Sequence, residues 1–214
     1  NTLYGLAGND TFYGGWGADV LVGGTGNDTY YLDARRFTDP EPYATDGYGE
    51  LITTVEDRIV EQAGEGVDTV FSIFDYTLPE NVEDLVLLDM WFRGGNYYAL
   101  RGTGNALSNH IVGNDGDNVL DGGAGADRME GGAGNDTYAV DHPDDVVVEA
   151  ISSGGTDTVL ASVSYTLGAG VGVEKLILVG SGDDTATGNE RDNFLDGSRS
   201  PGANHLVGGR GDDS

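Results

Sequence analysis

Large apolar residues recur at every ninth position near the start of the chain, at Leu3, Phe12, Leu21 and Tyr30. The same interval returns in the middle, at Ile111, Leu120, Met129 and Tyr138. Each is the centre of a short x-U-x run, with U large and apolar, and stretches of Gly, Asn and Asp part the runs. Such a run predicts a short strand with one side chain pointing inward. The intervening glycines predict tight turns, because Gly adopts positive φ at no steric cost. Other short runs rich in Val, Ile, Thr and Tyr, broken by Gly and Asp, also read as strands. No stretch sustains a helical period. The pattern predicts an all-β chain.

The turns and strands combine into a nonapeptide, G-G-x-G-x-D-x-U-x. Gly14–Val22 and Gly23–Tyr31 are perfect copies in tandem, and Gly5–Tyr13 is a weaker one with Leu6 in place of the second Gly. A second array runs Gly104–Val112, Gly113–Asp121, Gly122–Glu130 and Gly131–Ala139. Its last two copies are perfect and carry Asp127 and Asp136 at the sixth place; its first two carry Asn109 and Asn118 there. A third array, Gly188–Asp196, Gly197–Val207 and Gly208 onward, is frayed, with Asn193, Asn204 and Asp213 at the acidic place and two extra residues in its middle copy.

Charge gives the repeat a chemistry. There are 37 acidic and 10 basic residues, a formal net charge of -27. Nucleic acid and anionic membrane surfaces would be repelled. No apolar run approaches the roughly 20 residues of a membrane span. Cys is absent, so neither a disulfide nor a thiolate metal site is available. So much carboxylate suits either a solvated acidic chain or sites for hard cations, which prefer oxygen. The fixed place of Asp in each nonamer favours the second.

The repeat resembles the nonapeptide of the RTX (repeats-in-toxin) family, in its hemolysin-type calcium-binding form. That resemblance implies a right-handed parallel β-roll or β-solenoid with calcium bound in the Gly/Asp-rich turns. Two nonamers then make one coil, so residues 18 apart stack on adjacent rungs about 4.8 Å apart. Two carboxylates at that distance repel by roughly 3 kcal/mol at an effective dielectric near 20, so the turns resist stacking without a cation. Calcium takes 6–8 oxygens and mixes carboxylates with backbone carbonyls. The implied ligand pairs are Asn1 with Asp19, Asp10 with Asp28, Asn109 with Asp127, and Asn118 with Asp136. Pairs containing Asn are expected to bind more weakly, since they carry less charge. The turn glycines Gly15, Gly17, Gly24, Gly26, Gly123, Gly125, Gly132 and Gly134 belong to the same sites through the carbonyls they expose. The extra residues of the third array are expected to disturb the pairing of Asn193 with Asp213.

The segments between arrays repeat too. Asp57-Arg58-Ile59-Val60-Glu61 matches Asp145-Val146-Val147-Val148-Glu149, and Val67-Asp68-Thr69-Val70 matches Thr156-Asp157-Thr158-Val159. Tyr76-Thr77-Leu78 and Val82-Glu83-Asp84-Leu85 recur as Tyr165-Thr166-Leu167 and Val173-Glu174-Lys175-Leu176. Spacers of the form GxDTVxSxxxYTL…VExLxL commonly separate RTX arrays. Asp68 and Asp157 read as turn or ladder residues, with further calcium ligation as the alternative. The expected organisation is an array over 1–31, a spacer over 32–103 with a surface insertion at 34–56, an array over 104–139, a spacer over 140–187 and a degenerate array over 188–214. The aromatic group Met90-Trp91-Phe92-Arg93 with Tyr97-Tyr98 suits the cover of a solenoid edge, or else contact with sugar or protein. The chain begins inside one repeat and stops inside another, as a fragment of a longer protein would.

Catalytic signals are missing. There is no H-E-x-x-H, no G-x-S-x-G and no phosphate-binding glycine loop. His110 and His205 sit beside inward positions and are expected to face solvent; His142 lies in a turn-like His-Pro. The chain is expected not to be an enzyme by itself. The resemblance implies type I secretion, folding on calcium outside the cell, and a place at the bacterial surface as part of a surface-layer protein, adhesin or matrix. Neighbouring subunits or surface polysaccharide are then the expected partners. The alternative is the non-catalytic tail of a secreted protease, lipase or alginate-modifying enzyme.

Overall fold

The computed structural model describes residues 1–15, 17–32, 57–89, 99–150 and 155–214. The expected insertion at 34–56 lies outside them, as does the aromatic group from Met90 to Tyr98.

The described residues form short parallel strands that alternate between two faces of a solenoid. On one face β1 (Thr2–Ala7), β3 (Val20–Thr25) and β5 (Arg58–Val60) form one sheet. A second sheet of odd-numbered strands holds β7 (Tyr76–Thr77), β9 (Arg101–Thr103), β11 (Val119–Asp121), β13 (Thr137–Val140), β15 (Thr158–Ala161), β17 (Lys175–Leu178) and β19 (Phe194–Asp196). The even-numbered strands make the other two sheets. One holds β2 (Thr11–Tyr13), β4 (Thr29–Leu32), β6 (Thr69–Ser72), β8 (Asp84–Leu87), β10 (His110–Val112), β12 (Arg128–Glu130) and β14 (Val146–Val148). The other holds β16 (Tyr165–Thr166), β18 (Thr185–Thr187) and β20 (His205–Val207). Within each sheet a strand pairs with the strand two further along the chain, so two strands make one coil; the ladder is interrupted only between β5 and β7 and between β14 and β16 among the described residues. No α-helix occurs among the described residues, and none is long and apolar enough to cross a membrane.

Register shows how arrays and spacers share one fold. Inside the arrays the partners are 18 apart, as in Leu3 with Leu21, Phe12 with Tyr30, Ile111 with Met129 and Leu120 with Tyr138. At the joints the step changes: Thr29 pairs with Thr69, Asp84 with His110, Thr137 with Thr158. Turns absorb the difference, because the ladder constrains only the strands. The two extra residues of the third array vanish the same way, with Thr185 opposite His205.

The U positions stack into one core. Leu21, Tyr30, Val70, Leu85, Ile111, Leu120, Met129, Tyr138, Val159 and Leu176 are fully enclosed. Leu3 departs from the expectation and is 40% exposed, because β3 covers its rung from one side only among the described residues. Rings stack along the axis as well: Phe12 on Tyr30 inside, and Tyr13 on Tyr31 on Phe71 outside, at 4.8 Å between neighbouring centroids of that outer stack. His205 is exposed, and His110 lies on the outer surface with Nε2 2.8 Å from Glu130 Oε1.

Candidate metal centre

The residue at the sixth place of each nonamer directly precedes a strand, so parallel pairing stacks these residues into columns. Along the even-numbered face the backbone N–H of Asp10 donates to Asp28 Oδ1 at 2.8 Å, and that of Asp28 to Asp68 Oδ1 at 2.7 Å. The N–H of Asn109 reaches Asp127 Oδ1, and that of Asp127 reaches Asp145 Oδ1. On the odd-numbered face Asn1 bonds Asp19, Asp19 bonds Asp57, Asn118 bonds Asp136, and Asp136 bonds Asp157. All four expected pairs are therefore brought together. Asn193 also meets Asp213, its N–H 2.9 Å from Oδ1 across a step of 20 residues, so the extra residues do not break this contact.

Asp145 accepts hydrogen bonds through both oxygens, but most of these carboxylates use only one. The Oδ2 atoms of Asp10, Asp19, Asp28, Asp68, Asp127, Asp136 and Asp157 are buried without a hydrogen-bond partner. An unmet buried acceptor costs about 1–3 kcal/mol, and more when charged. The donor set is all oxygen, without Cys and with His kept to the outside, which fits calcium and not a thiophilic metal.

Glycine makes these turns stack. A Cβ on Gly24 (φ 98°) would lie 2.3 Å from the carbonyl oxygen of Leu6, and one on Gly26 would lie 2.3 Å from that of Gly8. Gly123, Gly125, Gly132 and Gly134 press in the same way on the turn beginning 18 residues earlier. Each turn thus sits directly over its predecessor's carbonyls. Gly15 and Gly17 differ, with open space where a Cβ would stand. Leu6 keeps φ at 81° without being glycine, so the stack imposes the left-handed turn even where the residue resists it.

The Asn turns are built differently. Asn109 accepts the N–H of Asn105 through Oδ1 and donates through Nδ2 to the carbonyls of Val82 and Glu83, each at 3.0 Å. Asn118 accepts from Asn114 and donates to Asn114 Oδ1 and the Leu100 carbonyl. Asn193 repeats the motif with Asn189 and the Val173 carbonyl. Both side-chain atoms of these Asn residues are engaged within the protein. Their amide groups bind the carbonyls of the preceding spacer rung.

Two further clusters lie where an array passes into the spacer that follows. Asp28, Glu61 and Asp68 are all buried, with one oxygen from each lying within 4.8 Å of the others. Asp136, Glu149 and Asp157 repeat this arrangement. The Tyr30 hydroxyl donates to Glu61, and the Tyr138 hydroxyl donates to Glu149 Oε2 at 2.5 Å. Burial pushes Glu61 and Asp136 up to about 7 and Asp68 and Asp157 up to about 6, reinforced by the neighbouring carboxylates. Asp127 rises to about 6, also mainly through burial, and Asp28 rises for the same reason. Glu61 and Glu149 lie outside the nonapeptide and were not among the expected ligands. The signal was present, since both end the matched Ile-Val-Glu and Val-Val-Glu runs at the place where a nonamer would have its first glycine.

Comparison with known proteins fits this geometry. The profile of the RTX calcium-binding nonapeptide repeat matches four copies, over residues 1–30, 103–138 and 178–214. The last stretch begins upstream of Gly188 and takes in the turn carrying Asp184, whose Oδ2 is another buried, unpartnered oxygen. The endo-1,3-1,4-beta-glycanase ExsH of Rhizobium meliloti (strain 1021) is 33% identical over 116 residues, which make up 54% of this chain and 19% of that protein. No solved structure matches. The three arrays of this chain are RTX calcium-binding nonapeptide repeats.

Proposed function

We propose that this chain is a calcium-gated structural segment of a secreted bacterial protein. Calcium enters between stacked turns, with Asp10, Asp19, Asp28, Asp127 and Asp136 as the principal carboxylate ligands and the turn glycines supplying carbonyls. The observation that carries this reading is the column of buried aspartates with one unpartnered oxygen each. Ion binding to the folded state then supplies folding free energy. In a low-calcium cytosol the carboxylates repel and the chain stays open; outside the cell, millimolar calcium saturates even weak sites. Two readings of the parent protein remain. A surface-layer protein, adhesin or matrix component, touching neighbouring subunits or surface polysaccharide, is favoured by the repeated spacer-plus-array plan. A non-catalytic segment of a secreted glycan-cleaving enzyme is favoured by the relative from Rhizobium meliloti.

The test is far-UV circular dichroism during a calcium titration, with magnesium as control. A cooperative gain of β-signal with calcium and little with magnesium is expected. A chain equally folded in chelator would remove the gating role. Hydrolysis of a mixed 1,3-1,4-β-glucan by the parent protein would decide for the enzyme.

A further inference from the structure

We propose that Asp28, Glu61 and Asp68, and again Asp136, Glu149 and Asp157, form two calcium sites of a composition unlike the nonapeptide turn pairs, each locking an array to the spacer that follows it. The proposal rests on the calcium-gated reading above and extends it to residues outside the repeat.

The geometry is that of a single-ion site. Oxygens on opposite sides of a calcium ion lie about 5 Å apart, twice a Ca–O distance of 2.3–2.6 Å. The ligand atoms of each trio fall within 4.8 Å of one another. Asp28 Oδ2, Glu61 Oε2 and Asp68 Oδ2 have no partner in the first trio, nor have Asp136 Oδ2 and Asp157 Oδ2 in the second. Asp28, Asp68, Asp136 and Asp157 are 1% exposed, and Glu61 and Glu149 are 7% and 5% exposed. Magnesium fits poorly, since it holds its water and this pocket is closed to solvent.

Glutamate reaches the site because glycine leaves room. A Cβ on Gly23 would stand 2.2 Å from Glu61 Oε1, Asp28 Oδ2 and the Tyr30 hydroxyl alike. On Gly131 it would meet the Tyr138 hydroxyl and Asp136 Oδ2. Glu61 and Glu149 enter this space from the next rung, and the tyrosine hydroxyls fix their carboxylates. Tyr30 and Tyr138 are the last inward residues of their arrays, whereas Phe12 and Met129 occupy that place one copy or rung from the joint. Tyrosine thus marks the array's end and orients the closing glutamate.

The experiment is calcium stoichiometry by calorimetry on the full chain and on a variant carrying both Glu61→Gln and Glu149→Gln. Gln keeps an acceptor for the tyrosine hydroxyl and removes the charge. Two ions should be lost or weakened by about tenfold or more, since carboxylate count sets affinity, while the turn ions persist. Unchanged number and affinity in the variant would overturn this proposal alone. A wild-type chain that binds no calcium would instead overturn the broader reading. If the Gln variant does not fold in calcium, terbium emission excited through tyrosine decides. Tyr30→Phe with Tyr138→Phe should abolish most of it, far beyond the share of two among 11 tyrosines. Emission reduced only in that proportion would overturn the proposal.

Discussion

The second array meets a spacer at both ends, with opposite chemistry at each. Upstream, Asn105, Asn109, Asn114 and Asn118 bind the outgoing carbonyls of the first spacer through neutral amides. Downstream, Asp136 faces Asp157 and Glu149, three buried carboxylates with no counter-charge beside them among the described residues. The first joint is complete as a hydrogen-bonded structure; the second is complete only with a cation or with protons. An amide N–H₂ does for a carbonyl what calcium does, without depending on the medium. The solenoid therefore has permanent joints and conditional ones, and in the function proposed above it is the conditional ones on which calcium acts.

Chelation should separate the two most sharply. With calcium held at about 100 times its dissociation constant, a site contributes about 2.7 kcal/mol to the closed form. Amide hydrogen exchange at Asp28 and Asp136, whose N–H groups bond Asp68 and Asp157, should then accelerate about a hundredfold in chelator. The amides of Asn105 and Asn189, bonded to Asn109 and Asn193, should change far less. Equal acceleration at all four would dissolve the distinction.

Substitution at the conditional joints comes next. Asp136→Ala removes a ligand shared by the Asn118 turn and the following spacer, and Asp19→Ala with Asp28→Ala does the same in the first array. The calcium midpoint for folding should rise by about tenfold, because carboxylate number tunes affinity. An unmoved midpoint in a calcium-followed dichroism titration would reject these residues as ligands.

The Asn joint is tested by the opposite result. Asn109→Ala removes one of the two hydrogen bonds at each of the Val82 and Glu83 carbonyls, which keep those from Asn105 Nδ2 and the His110 N–H, and leaves the N–H of Asn105 without its acceptor, a cost of about 1–3 kcal/mol. That loss should be equal in calcium and in chelator, read as a shift in denaturant midpoint. A loss seen only in calcium would make Asn109 a ligand after all.

The coil was legible because its signal is periodic: apolar residues at every ninth position and glycines where turns must stack. The aspartate pairs followed once the resemblance to the RTX repeat had implied two nonamers to a coil. The closing glutamates were harder, since each lies seven or eight residues before its partner aspartate, in turns without the nonamer's spacing. Their place emerges only when strand register lays Thr29 beside Thr69 and Thr137 beside Thr158. The asparagines showed only half of their chemistry in the sequence. At the place of an acid they read as weaker ligands, but an amide is also a donor, and the structure shows that half in use against the carbonyls of Val82, Glu83, Leu100 and Val173.

Acid offers the subtlest test, because protons and calcium quench the same carboxylates. Asp68, Asp127 and Asp157 sit near about 6 and Asp136 and Glu61 near about 7, against ordinary values of 3.8 and 4.5. Without calcium the folded chain binds more protons than the unfolded chain between about pH 4 and 7, so its stability falls as pH rises through that window. The protonation contribution is fully present below the ordinary carboxylate values and lost above about 7. In calcium the sign reverses at the sites, since the ion must expel those protons, and the calcium midpoint should drop between about pH 5.5 and 7.5. Relief of the net charge of -27 also favours the metal-free fold in acid, so the slope alone is not specific. Asp136→Asn separates the two: it barely alters the overall charge but removes one of the most shifted groups. If the variant keeps the full pH slope in chelator, general repulsion is responsible; a visibly flatter slope places the effect in the buried joint.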